Sequence, residues 1–562
     1  MSLRFLLPLT LALLASLTAS AAAAPVPQKF GDDHDDPRTA NPTVPRPATR
    51  ACTIQIVDHG FDSFEPARGR VDAPAACPGP WQRVVLEMDG EVAGRQYDRM
   101  GYLAIGGATV FRTSSPEPSR EGIRWHVEKD LTEYAPLLSQ PQPLEMHLGN
   151  VVNETYTGIF KIKARLVFYP ADRAHPAAAT ADVVAALADV REVGTETVGQ
   201  LSIPANAERL LLEVYATGSG GGCEEFWYDA APPDPSIGEF WCKAPQGPYR
   251  EVQVLVDGRV AGIAAPYPHI YTGGWSNPHL WYVIPAPRAF DIRPLRFELT
   301  PFVGELNDGK AHEVRLRVAG VPEGGKGWAL NPVMHVWRDA GTRATKGKLL
   351  EATLAAPSLD NKLQGDKLQD GVGRHHLRTR AQSRFVARGV LQTSHGSVET
   401  AVERGLDSEL DHHWSDDDAH DGLRANWGDR EVVTRRTDAG PLRAETRDAR
   451  FGIEGAIDTV KVDGKPRLTT TLTLNDDSEL RQSEDERVTA WEETRDRFDG
   501  AASYTGEVPR AERNATGNSR QEFLQRDSSG KCERRVLRTR NGRFVEDVRG
   551  CGSATAPARQ KT

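Results

Sequence analysis

Two short segments of this chain place acidic residues where a carboxyl group can take part in proton transfer. In GRQYDRMGYLAIGGATVFRTSSPEP, Asp98 stands between Tyr97 and Arg99 immediately before an apolar run, with Arg95 just upstream. A carboxylate beside guanidinium groups stays ionised, and at a strand edge a rigid backbone aims it. A surface ion pair would read the same way, so this segment alone leaves both readings open. Glu117 follows in a Pro-flanked loop that has either a site role or none. In GSGGGCEEFWYDA, Glu224 and Glu225 lie between a glycine run, Cys223 and the aromatics Phe226 and Trp227. Glycine lets backbone approach a ligand closely, and a carboxyl packed against rings loses water and keeps its proton more readily. The alternative is a cystine-pinned turn with exposed glutamates. Further on, PYPHIYTGGWSNPHLW offers Trp275 and Trp281 either as faces for the apolar side of sugar rings or as core. Two carboxyl groups whose surroundings drive their proton affinities apart equip a protein for hydrolytic acid–base chemistry.

Other chemistries recede. There is no GxSxG elbow, P-loop, HExxH or CxxC, which speaks against serine-hydrolase, nucleotide and zinc-protease mechanisms. The run HHWSDDDAHD at 412–421 has no metal-ligand spacing and reads as a solvated acidic loop. Neither a metal nor a cofactor is expected. A formal net charge of -9 without a basic stripe gives no footprint for nucleic acid.

The elements that must position the two segments are strands. RVVLEMDG, GYLAIGGATVFRT, LEMHLGN and GIFKIKARLVFYP alternate between Gly, Pro and Asn breaks over residues 50–172, and RLLLEVYATG, REVQVLVDGRVAGI, LRFELTPFVG and HEVRLRVAG do so over 194–343. Two consecutive antiparallel sandwiches are the economical reading. Residues 173–193 between them, with AATADVVAALADVREVG, read as a connector with a short helix. From 344 to 562 only three of the 11 tryptophans occur while Arg, Asp and Glu become dense, which predicts a separate β-rich domain.

The N-terminus, MSLRFLLPLTLALLASLTASAAAA, has the charged start, short apolar core and small-residue end of an export signal over residues 1–24. A secreted or periplasmic protein with no membrane span follows, and residues 25–49 read as a disordered arm. The six cysteines fall into sequence-local couples, Cys52 with Cys77, Cys223 with Cys242, and Cys532 with Cys551. Three local disulfides are the simplest assignment in an oxidising compartment.

Several long strings resemble the peptide N-glycosidase A family of secreted glycoamidases: GRQYDR, GGATVFRTSSPEP, IRWHVEKDLTEYAPLL, LGNVVNETYTGIFKIKARLVFYP, EEFWYD, PYREVQVLVDGRVAGIAAPYPHIYTGGWSNPHLW and TPFVGELNDGKAHEVRLRV. They run in family order over roughly residues 80 to 320. The resemblance implies tandem eight-stranded jelly rolls and hydrolysis of the amide between an N-linked glycan and asparagine, without metal or cofactor. It implies N-glycosylated proteins or glycopeptides as partners; a monomer is expected. A more distant likeness to bacterial peptide N-glycosidase F points to Asp98 and Glu225 as the catalytic carboxyl groups, and its third acidic position falls near Asn150. Arg95, Arg99, Glu117, Asn150, Glu224, Trp227, Arg250 and Trp275 are the expected substrate-binding residues. A non-catalytic glycan-binding protein and a glycosidase cleaving within the glycan are the rival readings.

Overall fold

Alternation of inward and outward side chains carries the whole architecture. The computed structural model describes residues 37–551 apart from 118–121, 219–222, 238–239, 273, 276, 282, 323, 325–326, 368–370, 439 and 510–511. The expected export signal at 1–24 and the first part of the expected arm, 25–36, lie outside the described residues.

The first sandwich comprises β1 (Cys52–Phe61), β2 (Ala67–Val71), β3 (Trp81–Val92), β4 (Met100–Ile105), β5 (Ala108–Ser114), β6 (Ile123–Asp130), β7 (Gln142–Leu148) and β8 (Phe160–Pro170). One antiparallel sheet has the order β1-β8-β3-β6 and the other β2-β7-β4-β5. Only the β4–β5 step stays within a sheet. Leu86 and Met88 of β3 meet Leu103 and Ile105 of β4, Phe111 of β5 and Met146 of β7 in one apolar core. Period-two patterning therefore buries one face of each sheet against the other.

The second sandwich starts earlier than expected. Residues 183–193, read as part of a helical connector, form strands β9 (Val183–Ala186) and β10 (Ala188–Val193). The valines of this stretch favour extended backbone, and Val184 and Leu187 are each only 5% exposed. After them come β11 (Glu196–Leu201), β12 (Ala207–Gly218), β13 (Glu251–Val256), β14 (Arg259–Ala264), β15 (Leu295–Glu298), β16 (His312–Ala319) and β17 (Trp328–Arg338). The sheets are β15-β12-β17-β9 and β10-β11-β16-β13-β14, which gives nine strands here rather than eight.

The C-terminal region is β-rich, as its alternation predicts, but it does not keep a core to itself. An eleven-stranded antiparallel sheet begins with β18 (Lys346–Leu354) and β19 (Ser358–Lys367), which both pair with β20 (Gly373–Thr393), and runs on from there as a meander through β21 (Gly396–Ser415) to Arg543–Arg549. Its inner face shares one continuous apolar cluster with the second sandwich. Trp227 packs on Trp427 at 5.4 Å, Tyr267 on Phe451 at 5.4 Å and Trp281 on Phe498 at 4.9 Å. Residues 37–49 are a packed strap rather than a disordered arm. Ala40 N–H donates to Gln521 Oε1 of the meander at 2.7 Å, and Arg46 pairs with Glu87 and Glu128 of the first sandwich at 2.8 and 3.0 Å. Among the described residues no helix is long and apolar enough to cross a membrane.

Candidate active site

Asp98 lies on the loop between β3 and β4, and that loop is fixed by its neighbours. Thr157 and Gly158 N–H groups donate to Arg95 O at 2.9 and 3.1 Å. Gln96, 5% exposed, donates to Val151 O at 3.0 Å and Gly158 O at 3.2 Å while accepting from Tyr97 N–H and the Arg99 guanidinium at 3.1 and 2.5 Å. Arg99 is then stitched to Ser115 beyond β5, its N–H to Ser115 Oγ at 2.9 Å and its carbonyl to Ser115 N–H at 2.8 Å. Half-buried Asp98 is thus anchored from both sides. Asn150, 1% exposed, donates to Phe61 O and Gly158 O at 2.9 and 3.0 Å and accepts from Val151 N–H. These bonds fix the 150–158 loop against Phe61 and, through Gln96, against the loop that carries Asp98.

Glu225 follows β12 in the second sandwich, after residues 219–222, which lie outside the described set. The returning chain passes so close to Gly218 that an added Cβ would stand 1.9 Å from Glu224 O, so only glycine fits. Glu224 accepts from Arg250 through both oxygens at 2.9 and 2.7 Å and from Trp328 Nε1 at 2.5 Å, while Arg250 also donates to Gly247 O and Tyr249 O. The Cys223–Cys242 bridge, Cα–Cα 5.0 Å, closes the loop. It forms beside Cys52–Cys77 and Cys532–Cys551, so all three local pairings hold.

Asp98 and Glu225 both lie near enough to Tyr271 for their charges to act on its phenol. Met100, two residues after Asp98, packs with Tyr215, Tyr271 and Ile292, and Thr272 Oγ1 donates to Ser115 O at 3.2 Å. Burial pushes the Tyr271 phenol upward, Arg112 opposes this, and the nearby charges of Glu225 and Asp98 push it further up. Tyr271 therefore stays a neutral donor. Its hydroxyl has no partner among the described residues, nor do Tyr228 OH, Ser114 Oγ, Thr217 Oγ1 and His269 Nε2. His269 stacks on Tyr271 with planes 8° apart and is held neutral, its pKa lowered to about 3 chiefly by burial and then by Arg288 and Arg112. Arg112, fully inside β5, donates to Asn331 Oδ1 at 2.7 Å across the seam. Buried polar atoms without partners are costly unless a ligand or water meets them.

The other expected residues are spread more widely. Arg95 is exposed and lies over the Tyr156 ring at 5.6 Å, Arg99 is half-buried, and Glu117 borders the undescribed segment 118–121. Trp227 and Trp275, expected to bind substrate, are instead core, 2% and 8% exposed, because the meander covers them. Exposed rings near the carboxyl groups are others: Tyr97, 48% exposed and 5.3 Å from Tyr156, and Trp241, 51% exposed and 6.1 Å from Phe226. Of the residues missed in sequence, Arg112 was the most visible, as a charge inside an apolar strand. Gln96, Ser115 and Tyr271 gave no local signal.

The two antiparallel sandwiches thus meet where the loops of Asp98 and Glu225 approach the neutral phenol of Tyr271. The chain belongs to the family described as peptide N-acetyl-beta-D-glucosaminyl asparaginase amidase A, whose profile matches residues 40–354. It is 31% identical over 399 residues to peptide-N4-(N-acetyl-beta-glucosaminyl)asparagine amidase A of Prunus dulcis, a match that covers 65% of this chain and 68% of that protein. The chain is accordingly an amidase of the peptide N-glycanase type. The family match ends at Leu354, the last residue of β18, so nearly all of the meander lies past it.

Proposed function

We propose that this amidase hydrolyses the bond between N-acetylglucosamine and asparagine in N-glycosylated proteins or glycopeptides, with Asp98 and Glu225 as its catalytic carboxyl groups. The observation that carries this reading is their convergence. One comes from each sandwich, and both act on the same buried tyrosine.

Amide hydrolysis needs an activated water and a protonated leaving nitrogen. Asp98 takes a proton from water as its oxygen adds to the side-chain carbonyl. Glu225 supplies a proton to the nitrogen or polarises the carbonyl. The C–N bond breaks, the glycan leaves as a glycosylamine, and aspartate remains in the peptide. Neutral Tyr271 donates a hydrogen bond to substrate in the seam. Tyr97, Tyr156 and Arg95 receive the sugar on the first sandwich, while the Glu224–Arg250 pair and Asn150 position the loops. This chemistry uses no metal, and since one carboxyl must keep its proton it runs best on the acidic side of neutrality. Residues 1–24 and three cystines support action outside the cytoplasm.

Incubation with a defined glycopeptide, followed by the mass of the peptide, tests the proposal. Conversion of Asn to Asp is expected. A sugar stub left on asparagine would show cleavage within the glycan, and an unchanged glycopeptide that still binds would show a lectin.

A further inference from the structure

The outer face of the meander carries a cluster unconnected with amide cleavage. β20 and β21 are antiparallel, with His376 directly opposite His413 and Arg378 opposite Asp411. Residues two apart on a strand share a face, so these four stand together on the side away from buried His375, His412 and Trp414. The His376 and His413 rings stack with centroids 3.8 Å apart and planes within 16°. That sets their Nε2 atoms side by side, 3.0 Å and 2.7 Å from one oxygen, Asp411 Oδ1. The other oxygen, Oδ2, accepts from Arg378 Nε at 3.0 Å. The three potential ligand atoms all lie within 4.8 Å of one another. Side-chain exposures of 23% for His376, 33% for Asp411 and 51% for His413 leave the cluster open to ions from solution.

We propose that His376, His413 and Asp411 form a binding site for a borderline divalent transition cation, zinc being the simplest probe. Two imidazoles and one carboxylate are the donor set of that class, whereas calcium and magnesium require oxygen ligands. Both strands are paired along their length, so the ligands sit on fixed backbone. A cation replaces the hydrogen bonds to Asp411 Oδ1, both imidazoles binding in the neutral form, which makes affinity pH-dependent. Arg378, bonded to the far oxygen, holds the carboxylate in place as an outer partner. A second group, Glu208, Asp339 and His395, is a poorer candidate, because Asp339 is already engaged by Ser394 N–H, Ser394 hydroxyl and Gly341 N–H. Local spacing hid the proposed site, since His376 comes from a different strand than the 412–421 run.

The test is calorimetric titration of zinc chloride into the chelator-stripped full chain. One zinc per chain is expected at neutral pH, with binding weakening as pH falls and protons compete for the imidazole nitrogens. Asp411→Asn should weaken binding by at least tenfold, and His376→Ala/His413→Ala should remove it. Melting curves of the variants in chelator establish that they remain folded, and anomalous scattering at the zinc edge locates the ion. Absence of saturable zinc binding by the native chain would overturn the proposal. So would unchanged stoichiometry and affinity in the folded double variant.

Discussion

The two sandwiches solve the problem of burial differently. The first closes on itself, its inward faces supplying nearly the whole of one apolar core. The second does not close, for its core continues into the inner face of the meander, with Trp227, Trp275, Tyr267 and Trp281 at the junction. Polar groups follow the same path. Arg288 pairs with Asp476 at 2.6 Å, Arg435 with Glu298 at 2.7 Å, and Ala265 N–H donates to Asp429 Oδ2 at 3.0 Å. Asp98 therefore stands on a self-sufficient unit, while Glu225 stands on one that is completed by residues past the family match.

The largest effect should come from cutting the chain after Leu354. Aromatic side chains bury roughly 150–250 Å² each, and several at the junction would be stripped of cover. The truncated chain should be insoluble or lack near-ultraviolet circular dichroism, whereas residues 50–172 alone should unfold cooperatively. A folded, active truncation would show that the second sandwich closes without the meander.

Next in size is Asp98→Asn. The side chain keeps its volume and its hydrogen-bonding capacity, so the melting profile should stay unchanged while kcat falls by about 100 to 10,000-fold. Glu225→Gln should fall steeply too, and the double variant by less than the product of the two, as expected of groups acting as a unit. A loss below about tenfold in Asp98→Asn would remove it as the base.

Stability against pH probes the junction itself. Asp496 is buried beside Asp476, Arg288 and Arg293, and its pKa is raised to about 7 by burial first and the Asp476 charge second. Gln521 donates to Oδ1 at 2.8 Å, and Oδ2 has no partner among the described residues. Folded Asp496 thus binds a proton that the unfolded chain, with a carboxyl pKa of about 3.9, releases much earlier. Its contribution is complete below about pH 4 and is lost as pH rises through 7. The unfolding free energy from urea titrations should decline over that window, by a few kcal/mol in all, and Asp496→Asn should flatten the decline. An identical slope in the variant would place the titration elsewhere.

What was legible in the sequence follows the same division. Strand patterning, the cystines and the acidic segments at Asp98 and Glu225 are local signals, and so they read correctly as sandwich edges and loops. The burial of Trp227 and Trp275 was not legible, because it is decided by Trp427 and Gly455, far along the chain. The strap at 37–49 looked disordered because its bonds go to Gln521, Glu87 and Glu128 rather than to itself. Tyr271 took its place in the seam only once two domains met.

The smallest effect separates fixing a loop from completing a core. The Cys223–Cys242 bridge encloses 19 residues of separation, and removing it frees the unfolded chain by roughly 3 kcal/mol on the chain-entropy account. Glu224 and Arg250 hold the same loop independently, with Arg250 fully buried, so Cys223→Ser/Cys242→Ser should still fold. Its melting temperature should fall and its kcat should drop modestly as the Glu225 turn loosens, with KM changed less, because the exposed rings of the first sandwich remain in place. Activity falling as far as in Asp98→Asn would mean that the bridge, not the ion pair, sets the position of Glu225. An unchanged melting temperature would mean that the bridge adds nothing to a loop already fixed by Arg250.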